Sequence, residues 1–504
     1  MPILNSILSW WMKKRIHQIE LFTKYPIEVQ NEWFEELIQS ARHTEFGIKH
    51  KYKDIKQVKN FKEQVPVQNY DSLKPYVDRL MKGEQNLLWP SETKWFAKSS
   101  GTTSSRSKFI PVTKEALEEC HYKGGKDMLS IYCTTHEDTE VFTGKTLMMG
   151  GSSQSIDPSN DSYHGDLSSI IIKNLPFWAE IRRTPDRETA LLENFEEKLA
   201  LMTKICAADN VTSLSGVPSW MLILLNRILK DQGKTDISEI WPNLEVFFHG
   251  GVSFTPYRDQ FKAIISSSNM QYMETYNASE GFFGIEDLNH PGELLLMLDY
   301  GIFYEFAPME EWNNEFPKTL SLEEVEVGVN YALIISTNAG LWRYKIGDTI
   351  QFTSTFPFRI KVSGRTKHFI NAFGEELIID NAEKALYHAC LKTGAIIEEY
   401  TAAPKFLTNQ QAGKHQWLIE FKKQPDSLKE FEEILDNQLR DINSDYDAKR
   451  KGNMALESAE VISLPTNTFY LWMKGRKKLG GQNKVPRLAN NRLYADQILE
   501  MISK

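Results

Sequence analysis

Short apolar runs that end in small or polar residues recur through the first two thirds of this 504-residue chain, with helical stretches between them. Trp95-Phe96-Ala97 leads into a Ser/Thr-rich loop, and Lys145 to Met149 ends in Gly150-Gly151. Leu244 to Phe248 ends in His249-Gly250-Gly251, and Tyr272 to Tyr276 is followed by Asn277-Ala278-Ser279-Glu280-Gly281. Leu294 to Leu298 and Tyr331 to Ile335 are further apolar runs, and Val211 to Pro218 reads as a strand and turn. Runs of this length, bounded by turn residues, read as buried strands. Strands alternating with helices specify an α/β fold, and open sheets of that class bind ligands at the carboxyl ends of their strands. The polar loops at 99–108, 249–253 and 276–280 are therefore the expected ligand site.

The first of these loops has distinctive chemistry. Seven hydroxyl residues lie between Ser99 and Ser107, Gly101 sits near the start, and Lys108 closes the run. Small residues let backbone N–H groups approach a ligand, hydroxyls add donors, and lysine adds a mobile charge. That combination suits a clamp for nucleotide phosphates. The pattern Gly-x4-Gly-Lys-Ser/Thr is absent, so this is not the standard P-loop. A solvated Ser/Thr linker is the structural alternative.

Residues 1–90 read as helical, with Phe22, Ile27, Trp33, Leu37 and Ile38 at helical spacing, an extended break at Val65-Pro66-Val67, and a helix from Tyr70 to Met81. The apolar run near Met1 precedes its charges and is too short to span a bilayer. It reads as an amphipathic helix packing Ile7, Leu8, Trp11 and Ile16 on the body, with membrane contact through Trp10 and Trp11 as the alternative. Thr113 is placed to cap a helix carrying Ala116, Leu117 and Tyr122. His164 to Ser168 reads as a loop, Glu188 to Ala208 as one long amphipathic helix, and Trp220 to Leu229 as a buried helix. Gln351 to Lys361 carries Pro357 and few helix formers, and a boundary is placed near residue 365. The expectation is a large N-terminal α/β domain, residues 1–364, with mixed sheets flanked by helices, and a small C-terminal α+β domain, residues 365–504. The latter should hold helices at Asp380 to Leu391 and Leu428 to Leu439 and a strand at Trp417 to Phe421.

Net charge is −8, which argues against a general nucleic-acid binder. None of the four cysteines forms a CxxC pair, which suggests reduced thiols and a cytoplasmic protein. The histidines show no zinc-binding pattern, and no stretch is long and apolar enough for a transmembrane helix.

Four motifs then occur in order: Ser99-Ser100-Gly101-Thr102-Thr103, Tyr276-Asn277-Ala278-Ser279-Glu280, Tyr344-Lys345-Ile346-Gly347-Asp348 and Gly364-Arg365-Thr366-Lys367. Together they resemble the adenylate-forming superfamily of acyl-CoA synthetases, luciferases and peptide-synthetase adenylation domains. Ser104 after the first motif, Gly165-Asp166-Leu167-Ser168, and Gly481-Gln482-Asn483-Lys484-Val485-Pro486-Arg487 are similar to the narrower Gretchen Hagen family of auxin-responsive acyl-acid amido synthetases.

That resemblance implies an ATP-dependent ligase that forms an acyl-adenylate and passes the acyl group to an amine, in the first place an amino acid. It implies that Ser99, Ser100, Gly101, Thr102, Thr103, Ser104 and Lys108 hold ATP phosphates. Tyr276 would stack on the adenine beside Asn277, Ala278 and Ser279, with the Gly250-Gly251-Val252-Ser253 turn on the other face. Asp348 would accept from the ribose hydroxyls, with Arg365 at a hinge that lets the small domain move. Glu280 would supply an oxygen to Mg2+ bridging the phosphates, and Lys484 would act on the carboxylate and α-phosphate. Each has a plainer reading: Tyr276 a core aromatic, Glu280 a carboxylate at a helix start, Asp348 a turn residue, Lys484 a surface lysine. Val217, Trp220, Met221 and Phe254 are the apolar residues expected to line the acyl pocket. An acyl-CoA ligase, favoured by the basic cluster Lys474 to Lys478, and a nucleotide-binding regulator without catalysis are the alternative functions.

Overall fold

The computed structural model of the chain describes residues 2–99, 108–151, 153–157, 162–251, 254, 257–287, 289–312, 314, 316–365, 369–370, 377–405, 413–443, 446–447, 450, 456–479, 484–489 and 491–503. Its strands, in chain order, are β1 Trp95–Ser99, β2 Lys108–Val112, β3 Lys145–Met148, β4 Ser153–Asp157, β5 Ser162–Gly165, β6 Arg183–Thr184, β7 Val211–Gly216, β8 Val246–Gly250, β9 Gln271–Ala278 and β10 Gly281–Glu286. They continue with β11 Leu294–Leu296, β12 Ile302–Pro308, β13 Asn330–Thr337, β14 Tyr344–Thr355, β15 Phe358–Arg365, β16 Phe369–Ile370, β17 Leu377–Ile378, β18 Ile396–Lys405, β19 Lys414–Lys423 and β20 Glu460–Leu464.

Among the described residues the largest sheet has eleven strands, ordered β12-β13-β14-β15-β11-β10-β9-β8-β7-β3-β6. The run β9-β8-β7-β3-β6 is parallel, while β9–β10, β10–β11, β11–β15 and β12–β13 pair antiparallel. Parallel strands covered on both faces tend to be apolar along their length, as in Val246-Phe247-Phe248 of β8, whereas β7 buries Thr212 and Ser213 between Val211 and Leu214. A smaller sheet, β2-β1-β5-β4, carries the Ser/Thr loop between β1 and β2. The chain is thus mixed α/β, with a large amino-terminal body and a smaller carboxyl-terminal one. One compact unit takes in most of the chain as far as Val362; the other holds Ser363–Lys504 together with Gly347–Thr349.

In the first unit a core around Phe46, Tyr52, Trp342 and Tyr344 joins the early helices to β14, and a second around Leu214, Met221, Leu225 and Phe247 lies along the parallel strands. Each fully buried side chain of this size contributes about 2–3 kcal/mol. Two buried ion pairs pin the segments. Arg15 bonds Asp127 at 2.9 Å and Asp299 at 2.6 Å, and Arg343 forks onto Glu305 while donating to the carbonyl of Val65 at 2.6 Å. The second unit has the sheet β18-β19-β20 under the helices Ile379–Thr393 and Leu428–Ile442, around Tyr400, Trp417 and Phe431.

Several expectations change. The stretch Glu188 to Ala208 is not one helix: helices at Arg187–Ala190 and Phe195–Ala208 are separated where the Asn194 side chain accepts from the N–H groups of Glu196 and Glu197 and restarts the helix. His164 to Ser168 is the end of β5 and the start of the helix Leu167–Lys173, not a loop. Gln351 to Lys361 is a strand hairpin with Phe356-Pro357 at its turn, because the proline interrupts the strand but not the sheet on either side. Residues 276–280 are not a loop beyond a strand: β9 runs on to Ala278 and turns directly into β10. β18 and β20 were not foreseen, the former because Glu398 and Glu399 break its apolar pattern. The helix Pro2–Lys13 does form, but it buries Ser9 and Met12 and leaves Ile7, Trp10 and Trp11 exposed. No helix among the described residues is long and apolar enough to cross a membrane.

Candidate active site

The antiparallel strands β1 and β2 flank the Ser/Thr-rich stretch in the sequence. Ser99 pairs with Lys108 at its mouth, both half-buried, while Ser100, Gly101, Thr102, Thr103 and Ser104 lie outside the described residues. Lys108 is held in place. Its ammonium donates to the Tyr344 hydroxyl at 3.3 Å and lies 5.8 Å from the centroids of both the Tyr70 and Tyr344 rings. The neighbouring Phe109 N–H donates to the Tyr70 hydroxyl at 2.8 Å. Tyr344, wholly buried, opens the Tyr-Lys-Ile-Gly-Asp motif, so two motifs far apart in sequence meet through this contact.

A second group forms where β8, β9 and β10 lie side by side. Gly250 stands opposite Thr275, and a β-carbon at Gly250 would lie 2.4 Å from the Thr275 carbonyl oxygen, so glycine is required for this approach. Thr275 donates its hydroxyl to the carbonyl of His249 at 3.1 Å. His249 is buried and stacks on Phe254 at 4.1 Å; burial, with Arg258 nearby, pushes its pKa down to about 3. Gly251 follows with φ of 80°, and Val252 and Ser253 lie outside the described residues. Tyr276 is buried, its ring 4.8 Å from that of Phe283, so this face of the ring belongs to the core.

Pairing of Ala278 with Gly281 makes Ser279 and Glu280 the two turn residues. Asn277 and Ala278 are exposed and half-buried, Glu280 is half-buried, and the buried Ser279 hydroxyl has no hydrogen-bond partner among the described residues. Sequence reasoning missed what steadies this turn. After β2 the chain adopts six residues of π-helix, Leu117–Tyr122, a wide turn that is uncommon outside functional regions. It brings Cys120 against β10, where the Phe282 N–H donates to its sulfur at 3.2 Å. Burial pushes that thiol up to about 12, so it stays protonated. Thr113 starts this segment as expected, accepting from the Ala116 N–H at 3.0 Å.

Of the expected acyl-pocket residues, Met221 and Phe254 are interior members of one apolar cluster, while Val217 and Trp220 are half-buried at the start of the helix Pro218–Gln232. A neighbouring polar cluster was also missed. Lys198, almost wholly buried, donates to the carbonyl of Gly150 at 2.9 Å, and the Gly151 N–H donates to the Ser168 hydroxyl at 2.9 Å. Burial lowers the Lys198 pKa to about 8, against the opposing field of Asp166. Met148 of β3 pairs with Ser215 of β7, which places this cluster beside the strand that leads to Val217. No sequence signal marks Lys198, because its burial is a tertiary property.

In the second unit, Gly347 has φ of 94° and Asp348 is buried; Ser363 donates to the Thr349 hydroxyl at 3.1 Å. Arg365 ends β15, with its side chain outside the described residues. Lys484 is exposed, and the segment after it is fixed. Thr401 donates to the Pro486 carbonyl at 2.6 Å, Ala402 N–H to that of Arg487 at 2.9 Å, and Arg487 pairs with Glu399. Burial pushes Glu399 up to about 7 despite that arginine. In the basic cluster, Lys474 and Lys477 are exposed, as the solvated reading expects, whereas Arg476 is half-buried against the rings of Trp472 and Tyr494. Among the described residues no cluster of three or more histidine, cysteine or acidic side chains is placed to hold a metal ion.

A large amino-terminal body built on a sheet with a parallel run of strands is followed by a smaller carboxyl-terminal one. Among solved structures the chain is similar to GH3.15 acyl acid amido synthetase, with a TM-score of 0.79 and 16% identity over 97% of this chain and 96% of that one. It is also similar to 2-hydroxyisobutyryl-CoA ligase in its postadenylation state, with a TM-score of 0.60 and 11% identity over 94% and 92%. The sequence model of the GH3 family N-terminal domain matches residues 15–270, just over half of the chain, and those of the central and C-terminal domains match 295–365 and 380–493. The chain belongs to the GH3 family. Indole-3-acetic acid-amido synthetase GH3.3 of Arabidopsis thaliana is 23% identical over 94% of this chain and 91% of its own length. Jasmonoyl-L-amino acid synthetase JAR4 of Nicotiana attenuata is 22% identical over 67% and 68%.

Proposed function

We propose that this protein is an acyl-acid amido synthetase. A carboxylate oxygen of the acid attacks the α-phosphorus of ATP, the bond to the β-phosphate breaks, and pyrophosphate leaves. An amine, in the first place that of an amino acid, then attacks the acyl carbon; the bond to AMP breaks and the amine sheds a proton. The first step brings two anions together, so fixed donors and cations must offset their repulsion. The single observation that carries this reading in a chain of this family is the Lys108–Tyr344 bond, which holds a lysine at the mouth of the hydroxyl-rich loop.

In this reading Ser99–Ser104 and Lys108 hold the phosphates, Tyr276 and the turns at 250–253 and 277–279 hold the adenine, and Asp348 and Arg365 hold the ribose. Val217, Trp220, Met221 and Phe254 shape the pocket for the apolar body of the acid. The small domain supplies Lys484 as the cation for the reacting carboxylate and α-phosphate. Mg2+ fits the half-buried Glu280 carboxylate as a one-carboxylate site, since that ion keeps water and phosphate oxygens as its other ligands. Bound there, it would supply charge neutralisation of the phosphates. Four free thiols fit a cytoplasmic protein.

The test is to incubate the protein with ATP, Mg2+, a panel of carboxylic acids, and either the amino acids or coenzyme A. AMP release that depends on an acid and an amino acid supports the reading. AMP release that requires coenzyme A instead makes the protein an acyl-CoA ligase, and ATP binding without AMP release under any acid makes it a regulator.

A further inference from the structure

The helix Pro2–Lys13 presents a second apolar stripe, Ile7, Trp10 and Trp11, on the side away from the core. Ile7 is 54% exposed and Trp10 60%, values that a packed amphipathic helix does not show on its apolar positions. The stripe does not end with the helix. Trp11 meets Trp178 edge-to-face at 6.1 Å, and beside Trp178 Phe177 is 80% and Ile181 57% exposed. Lysines cap the aromatic rings: Lys14 lies 3.8 Å from the centroid of Trp10 and Lys126 4.2 Å from that of Trp11. Residues 1–19 contain no aspartate or glutamate, in a chain whose net charge is −8. Glu180, in the same short helix as Phe177 and Trp178, is taken up by Arg183 at 2.8 Å.

We infer that this face docks on an anionic lipid surface. Tryptophan rings prefer the headgroup layer, where one end is apolar and the other wet, and lysines beside them meet lipid phosphates. A helix of this kind lies in the plane of the interface, adding apolar burial to charge attraction. Charge complementarity selects lipid over a second copy of the chain. A twofold contact through this stripe would set Lys14 and Lys126 against their own equivalents, while an anionic surface neutralises them.

The test uses the full chain in flotation with vesicles of pure phosphatidylcholine and with vesicles containing about one third phosphatidylglycerol. The wild type should float with the anionic vesicles only, and raising the salt should release it because the lysine contribution is screened. The double variant Trp10→Ser/Trp11→Ser should lose flotation. Lys14→Gln should weaken vesicle partitioning about five-fold. The variants should keep acid-dependent AMP release, because none of these side chains belongs to the proposed ATP or acyl site, which separates this inference from the proposed enzymatic activity; loss of the Trp11–Trp178 contact should lower the thermal midpoint only slightly. Absence of flotation with anionic vesicles, or equal flotation by the double variant, would overturn the inference. So would a wild-type dimer in sedimentation that the double variant abolishes without lipid binding.

Discussion

The Lys108 ammonium donates to the Tyr344 hydroxyl at 3.3 Å, tying the mouth of the hydroxyl-rich loop to the first residue of β14. Removing only the hydroxyl tests whether that bond aims the lysine. Tyr344→Phe keeps the buried ring, and loss of one hydrogen bond to a charged group is worth about 1.5–3 kcal/mol. The KM for ATP should rise by roughly ten-fold or more while kcat for amide formation changes little, whereas Lys108→Ala should lower both kcat and kcat/KM. Steady-state kinetics with ATP as the varied substrate separates the two variants.

Adjacent glycines should respond with opposite signs. A β-carbon at Gly124 would lie 2.6 Å from the ring of Phe282, two residues beyond Glu280 in the chain, whereas one at Gly125 meets nothing within 4 Å. Both lie in the helix Lys123–Thr135. Gly125→Ala should therefore stabilise by about 0.5–1 kcal/mol through helix propensity. Gly124→Ala should destabilise by about 1–3 kcal/mol through overpacking and should lower AMP release through the displaced β10. Urea unfolding of the two variants checks the signs.

His121, in the π-helical turn, is buried with no partner for its Nδ1 among the described residues, and burial lowers its pKa to about 4. A depressed histidine contributes stability that is complete above its unfolded value near 6.5 and is lost as pH falls towards 4. Asp127 and Glu399, pushed up to about 6 and about 7 by burial, act in the opposite sense, their stabilisation being lost as pH rises. A difference measurement isolates the histidine. Between pH 7.5 and 5, His121→Phe should gain about 2 kcal/mol relative to wild type. Equal pH dependence of the two in urea unfolding would show that His121 does not remain neutral in the fold.

Glu305 receives both arms of Arg343 with almost no solvent access to either side chain, and Arg343 also donates to the carbonyls of Lys62 and Val65. Arg343→Met leaves the buried carboxylate without its counter-charge, with Thr319 still donating to it at 2.6 Å, and takes the arginine donor from two carbonyls. The expected cost is about 3–5 kcal/mol, read as an earlier urea midpoint, with the double replacement Arg343→Met/Glu305→Leu recovering much of it.

How much of this was legible beforehand depends on what each residue does. β8 could be read because burial on both faces favours an apolar run, and the glycines that follow the apolar residues of β3 and β8 mark where the backbone must turn. The break before Phe195 could not, because the apolar spacing continues through Leu191 and Leu192 while the break acts through the Asn194 cap. The spacing of Ile7 and Trp11 normally signals burial, so the sequence favours packing of both on the body and offers contact through Trp10 and Trp11 only as the alternative; their exposure is a property of the fold. Lys198 and Cys120 look like any lysine and any cysteine until the fold places one on the Gly150 carbonyl and the other on the Phe282 N–H. Motif residues such as Glu280 and Lys484 stood out by resemblance, whereas the contacts that steady the turns around them are tertiary.

The most direct test of the proposed ligase compares wild type with Lys484→Ala, using an acid that supports AMP release, and follows acyl-AMP by mass spectrometry without acceptor and amide with it. Lys484 is exposed and its removal leaves the Thr401–Pro486 and Arg487–Glu399 contacts in place, so the fold should be retained. Wild type should form acyl-AMP and then one AMP per amide; Lys484→Ala should bind ATP normally yet form acyl-AMP at least about 100-fold more slowly. Release of ADP in place of AMP by the wild type, or unchanged acyl-AMP formation by Lys484→Ala, would contradict it.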